Sequence, residues 1–276
     1  MTHRRAMLAG LGAGAGLLCG AAGWAVGADT ADSEGADPFQ SMQWPELRKE
    51  FLGAAARTRF DPRVRVLGPG FAEDAMNVPI TVAADLPGVQ RLMVLVDRNP
   101  IRKVLELTPL AALPAVSFRF KLEQSSPVRA LALTADGVWH VGGAWVDSTG
   151  GGCTAPAGSR ADGSWTQTLG QVSGRVFGGG TQSPDRSVDK APDSATRLRL
   201  RIMHPMDTGL VNGVPAFYIS RLAVRDATDR ELLRIQTFEP ISENPVFSFE
   251  FAKPPPAPLR IVGVDNNGNR IDSRVE

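Results

Sequence analysis

One side chain in this sequence combines reactive chemistry with an unusual setting. Cys153 lies in DSTGGGCTAPAG, Asp147 to Gly158, directly behind Gly150, Gly151 and Gly152 and three residues before Pro156. Core cysteines are usually framed by apolar residues at strand or helix spacing. Glycine is the residue whose backbone is most costly to order, so three in a row predict a mobile arm carrying a sterically bare thiol. No charged residue lies between Asp147 and Arg160. Nothing local therefore lowers the pKa, and the expectation is a value near the ~8.5 of a free thiol unless the fold intervenes. A carrier needs no activated thiol of its own, because an enzyme that it visits can supply the activation. The residues alone leave two readings open: a covalent attachment point on a flexible arm, or an incidental cysteine in a linker.

Other chemistry is sparse. The three histidines are His3, His140 and His204, with no HxxxH and no CxxC pattern, so no zinc or copper site is expected. His204 sits between Met203 and Met206, which raises a Cu(I) reading; a turn residue before Pro205 is the simpler account. His140, in VWHVGG, reads as a histidine satisfied at a strand edge. There is no G-x-S-x-G, phosphate loop or dinucleotide fingerprint, and the glycines at 178–180 lead into Thr-Gln-Ser-Pro and not into a helix. No carboxylate pair stands out as acid and base. The chain reads as a carrier without catalytic machinery, metal or cofactor. Arg197, Arg199 and Arg201 alternate with Leu198, Leu200 and Ile202. That spacing gives either a basic patch for an anionic ligand or, as preferred here, the solvated face of a half-buried strand.

The elements that must position Cys153 follow from the punctuation of the chain. Arg4 and Arg5 precede an uncharged run to Ala28, with Val26 and Ala28 at −3 and −1 of a cleavage site: the layout of an export signal over 1–28, of twin-arginine type. An uncleaved anchor is the alternative, disfavoured by the many glycines. A lipoprotein at Cys19 lacks the small residue expected before it. Signal removal takes away Arg4 and Arg5 and turns a formal charge of +1 into −1. Such neutrality gives no electrostatic case for nucleic acid or for a membrane. Cys153 then stands alone, an odd thiol in an oxidising compartment. Trp44, Leu47, Phe51 and Leu52 mark a short amphipathic helix, with Pro45 in its first turn. Beyond Arg63, short β-rich runs alternate with Gly, Pro, Asn and Asp, and Asp136-Gly137 signals a hairpin. The expected fold is all-β: two immunoglobulin-like antiparallel sandwiches, at 44–147 and 196–276, joined by an arm and linker over 148–195 in which Trp165, Val176 and Phe177 dock.

The sequence also resembles the SoxYZ sulfur carriers of bacterial thiosulfate oxidation. VPITVAADLPGVQRLMVLVDRNP, SFRFKLEQSSPVRALALTADGVWH and GGGC are similar to the Y subunit; IMHPMDTGL, VPAFYISRLAV, ISENPVFSFEF and VDNNGN are similar to the Z subunit. Their order in one chain resembles the fused carriers associated with quinoprotein (PQQ) dehydrogenases. The resemblance implies a periplasmic protein whose cysteine holds a sulfur species covalently and presents it to partner oxidoreductases, with the two sandwiches packed together. It also frames the alternative, a non-covalent accessory module for a quinoprotein dehydrogenase or cytochrome. Here the arm does not end the chain, as it does in the family, but continues through Thr154, Ala155 and Pro156. Asp147 to Arg160 spans 13 virtual bonds, at most about 45 Å at roughly 3.5 Å each. With both ends held close together, Cys153 would rise only about half that length.

Overall fold

Successive residues of an extended chain face opposite sides, so alternation of apolar and polar side chains buries one face of a strand. In TRLRLRI, Leu198, Leu200 and Ile202 are buried while Arg199 and Arg201 are exposed. In VFSFEF, Phe247, Phe249 and Phe251 are buried together. The computed structural model describes residues 33–34, 36–163, 165–178 and 195–276. The export signal expected at 1–28 and the glycines at 179 and 180 lie outside the described residues.

The strands before the cysteine are β1 (Ser33–Glu34), β2 (Arg57–Phe60), β3 (Val64–Leu67), β4 (Phe71–Ala72), β5 (Val78–Ala84), β6 (Val89–Val96), β7 (Lys103–Thr108), β8 (Ala115–Phe120), β9 (Ser126–Thr134) and β10 (Val138–Ser148). Helix α1 (Trp44–Leu52) precedes β2. After Cys153 come α2 (Gly158–Asp162), α3 (Trp165–Thr168) and β11 (Val172–Phe177). The chain ends with β12 (Thr196–Ile202), β13 (Ile219–Arg225), β14 (Glu231–Thr237), β15 (Val246–Phe251), β16 (Leu259–Asp265) and β17 (Arg270–Val275).

Two sheets form. One runs β1-β2-β10-β9-β6-β7-β14-β13-β16-β17, with β4 also on β10; the other runs β11-β12-β15-β8-β5-β3. Pairing is antiparallel except where β2 and β4 meet β10 and where β1 meets β2. The fold is all-β, as expected, and the two sandwich halves share both sheets. In the larger sheet β7 pairs with β14, Leu107 opposite Ile235. In the smaller sheet β8 pairs with β15, Ser117 opposite Ser248. One apolar core runs through the seam, including Leu107, Phe120, Leu200, Ile235 and Phe249. Residues 172–177, expected as linker, instead pair with β12, Val172 opposite Ile202. As an edge strand none of its side chains is fully buried, which is why it carries so little apolar signal.

Helix α1 starts with Pro45 in its first turn, where a missing N–H costs nothing. Its Trp44 and Leu47 pack with Met93, Leu95, Leu131 and Trp139 on the other face of the larger sheet. Arg129 ties this layer down. Fully buried, it donates to Asp97 (2.7 and 2.8 Å) and to Asp37 (2.8 and 2.9 Å), with its guanidinium 4.4 Å from the Trp44 ring centroid. Replacing Arg129 with Ala strands the buried Asp97 without a counter-charge. Arg129→Ala is expected to lose about 3 kcal/mol of stability, measured by urea unfolding. A loss below about 1 kcal/mol would mean that water reaches Asp97.

Candidate functional site

The arm leaves β10 at Ser148 and is fastened at almost every step. Ser148 N–H donates to Ser125 Oγ at 3.0 Å, and Gly150 N–H to Ser148 Oγ at 3.0 Å. Gly151 and Gly152 donate to the carbonyls of Glu123 and Leu122 at 3.1 and 3.2 Å. They lie along residues 121–123, the continuation of β8, which Asn99 pins by bonding the Lys121 carbonyl and the Glu123 N–H, both at 2.8 Å. Cys153 N–H donates to Glu123 Oε2 at 2.9 Å, Thr154 Oγ1 to Glu123 Oε1 at 3.2 Å, and the thiol lies 3.6 Å from the Lys121 carbonyl.

The second half of the chain closes over the arm from the other side. Thr208 Oγ1 donates to the Cys153 carbonyl at 2.6 Å. Glu243 accepts from Gly158 and Ser159 N–H at 2.7 and 2.9 Å. Arg160 donates to Asp207 and lies 4.2 Å from the Trp165 ring centroid. The segment from 148 to 160 is therefore clasped at both ends and in the middle.

These contacts correct the picture of a bare thiol. Cys153 is 0 % exposed. Burial, with the Glu123 carboxylate adding to it, pushes the thiol pKa up to about 12; the Lys121 ammonium opposes both and is outweighed. Lys121 is itself buried, donates to the Met206 carbonyl, and has its pKa lowered by desolvation. The expected value near 8.5 fails because the fold buries the thiol, and the charges that add to and oppose that burial, Glu123 and Lys121, lie some thirty residues upstream. The glycines have a second reason to be there. A Cβ on Gly152 would sit 2.1 Å from the Ala75 carbonyl oxygen and 2.7 Å from that of Leu122, and one on Gly150 would sit 2.6 Å from the Glu123 carbonyl oxygen. Gly150 and Gly151 also adopt positive φ, 90° and 83°. In this arrangement the three residues are glycine so that the arm can lie flat.

The histidines do not join the site as ligands. His140 Nδ1 meets Asp61 at 2.8 Å. His204 is buried; its Nδ1 accepts the Met206 N–H at 3.1 Å, and Nε2 is 3.5 Å from Asp265, beyond a good hydrogen bond. Burial lowers its pKa to about 4 against the pull of Asp265. The Met206 sulfur accepts the Ile219 N–H at 3.3 Å, so the methionine proposed for Cu(I) is already engaged. Lys121, Glu123, Thr208 and Glu243 were not marked as site residues by any sequence signal. Their polar types in loops are unremarkable until the fold brings them to the arm.

Fold and site together define a double sandwich built around a single stowed thiol at the seam of its halves. Residues 48–153 match the family of the sulfur oxidation protein SoxY, ending on the cysteine itself, and residues 186–276 match that of the sulphur oxidation protein SoxZ. The chain therefore belongs to the SoxY and SoxZ families, as a SoxYZ-type carrier fused in one polypeptide. No curated protein matches it. Among solved structures, the sulfur carrier protein SoxY from Chlorobium limicola f thiosulfatophilum aligns with 18% identity and a TM-score of 0.34, over 38% of this chain and 90% of its own. A superoxide reductase (neelaredoxin) from Ignicoccus hospitalis aligns with 13% identity and a TM-score of 0.28, over 31% of this chain and 79% of its own.

Proposed function

We propose that this protein carries a sulfur species covalently on Cys153 and that the structure describes its closed, protected state. The observation that carries the reading is the placement of the thiol: it lies on a glycine segment at the end of the SoxY match, held by discrete hydrogen bonds and not within the apolar core. A thiol held by a few polar contacts can be released without unfolding the sandwich, and while stowed it stays protonated and unreactive. In the open state the arm presents the cargo to partner oxidoreductases, which supply their own activation. The signal read at 1–28 supports a periplasmic setting, and the fused order of domains supports association with a quinoprotein dehydrogenase. Thiosulfate-derived sulfur is the cargo that the two families favour.

The burial of Cys153 also favours a second reading, a non-covalent accessory module whose cysteine never leaves its site. Intact mass of protein from the native source, before and after a reductant, separates the two. A reducible addition at Cys153, in multiples of sulfur or as sulfonate, is the expected result. A free thiol under conditions where the protein is in use would favour the accessory module.

A further inference from the structure

The arginines of β12 have a structural context that their spacing alone did not show. Arg199 and Arg201 are exposed on the outer face of the smaller sheet. They border a cleft of about 480 Å³ whose other side carries Arg119 of β8. Between them runs the turn Ser242–Val246 leading into β15, and Asn77 also lines the cleft. The strand order β12-β15-β8 puts Arg201 and Arg119 on either side of β15, roughly 10 Å apart at the usual strand spacing. Long guanidinium side chains can converge across that gap. The cleft thus draws on both halves of the chain and exists because β8 and β15 pair.

Its charge is net positive, three guanidinium groups against one carboxylate. Among the described residues, none of the three guanidinium groups has a carboxylate partner, whereas Arg197, on the same strand, is paired with Glu250 at 2.8 Å. The one acid in the cleft, Glu243, has both oxygens turned to the backbone N–H groups of Gly158 and Ser159. The Asn77 side chain has no hydrogen bond among the described residues. Three fork-shaped donors around a concavity match a tetrahedral divalent oxyanion, which they can bind through several charge-assisted hydrogen bonds at once.

We infer that the Arg119–Arg199–Arg201 cleft is a binding site for a small divalent oxyanion. The site stands on its own geometry; only the choice of a sulfur oxyanion such as thiosulfate as its ligand rests on the carrier reading above. Occupancy would hold substrate or product anion on the carrier without a covalent bond, beside Glu243, which also fastens the arm at Gly158 and Ser159.

The test is calorimetric titration of the full chain bearing Cys153→Ser with thiosulfate, sulfate and chloride at matched ionic strength. With the thiol removed, loss of binding cannot be confused with failure of covalent loading. Saturable binding of the divalent anions over chloride is expected. Arg119→Gln or Arg201→Gln should weaken it about tenfold, and Arg197→Gln, whose partner is Glu250, by less than twofold. Three outcomes overturn the inference: no preference for divalent anions, equal weakening by all three substitutions, or tight binding of a glutamate-rich peptide that thiosulfate does not displace. The last would make the cleft a landing place for an acidic partner protein.

Discussion

At neutral pH, iodoacetamide is expected to label Cys153 in the folded protein at least a thousandfold more slowly than in the urea-unfolded chain. Two effects combine. The thiol is 0 % exposed, and its pKa is raised to about 12. Compared with its ordinary value of 9.0, that alone lowers the thiolate fraction by roughly a thousandfold. What labelling remains must pass through an open state, so its rate reports the closed-to-open balance. Glu123→Gln combined with Thr208→Val weakens the hold on the Cys153 N–H and removes the bond to its carbonyl, and should raise the rate at least tenfold. The pH dependence has a definite sign. A thiol whose pKa is higher in the folded state than its ordinary value of 9.0 favours folding fully below that value. Its contribution is lost as pH rises from about 9 towards about 12, because only the unfolded thiol ionises freely there. The loss is on the order of a few kcal/mol. Folded and unfolded rates within tenfold of each other would mean that the arm spends most of its time out.

The strand pattern was legible because it is local. Leu198, Leu200 and Ile202, or Phe247, Phe249 and Phe251, show their buried face by alternation alone. What alternation cannot show is which strand lies beside which. Leu107 meets Ile235, and Ser117 meets Ser248, through pairings well over a hundred residues apart. Two separate sandwiches and one continuous pair of sheets therefore read alike in the sequence. The same limit applies to the site. Cys153 and its glycines can be picked out by type and spacing, but the sign of the pKa shift depends on burial, with Glu123 adding to it and Lys121 opposing, and the cover depends on Thr208 and Glu243. Polar residues that act only after folding leave no periodicity to find. The glycines show most clearly how one residue type supports two physical arguments. Freedom of the backbone and room for close packing both call for glycine, and only coordinates tell them apart.

Gly152→Ala separates those two arguments with a large effect. Gly152 does not need a positive φ, so alanine meets no backbone penalty there. Its Cβ would, however, come within 2.1 Å of the Ala75 carbonyl oxygen and 2.7 Å of the Leu122 carbonyl oxygen. Both are backbone atoms in a packed region and cannot swing aside as a side-chain tip would. The arm cannot lie in its closed position, and the bonds from Gly152 to Leu122 and from Cys153 to Glu123 are lost with it. Labelling of Cys153 in the folded variant should then rise by two or more orders of magnitude, to within about tenfold of the unfolded chain. The sandwich core, which the arm does not fill, keeps its cooperative unfolding transition. Gly151→Ala is the control: its Cβ meets nothing within 4 Å, and only the φ of 83° opposes it. That strain is worth about 1 kcal/mol, enough for a change of only five- to tenfold. If Gly152 were there for mobility alone, the two alanines would act alike and neither would expose the thiol. Equal, small effects would therefore overturn the packing argument. A large and selective gain at 152 would show that the glycine's first task is to let the arm close, with release as the regulated step.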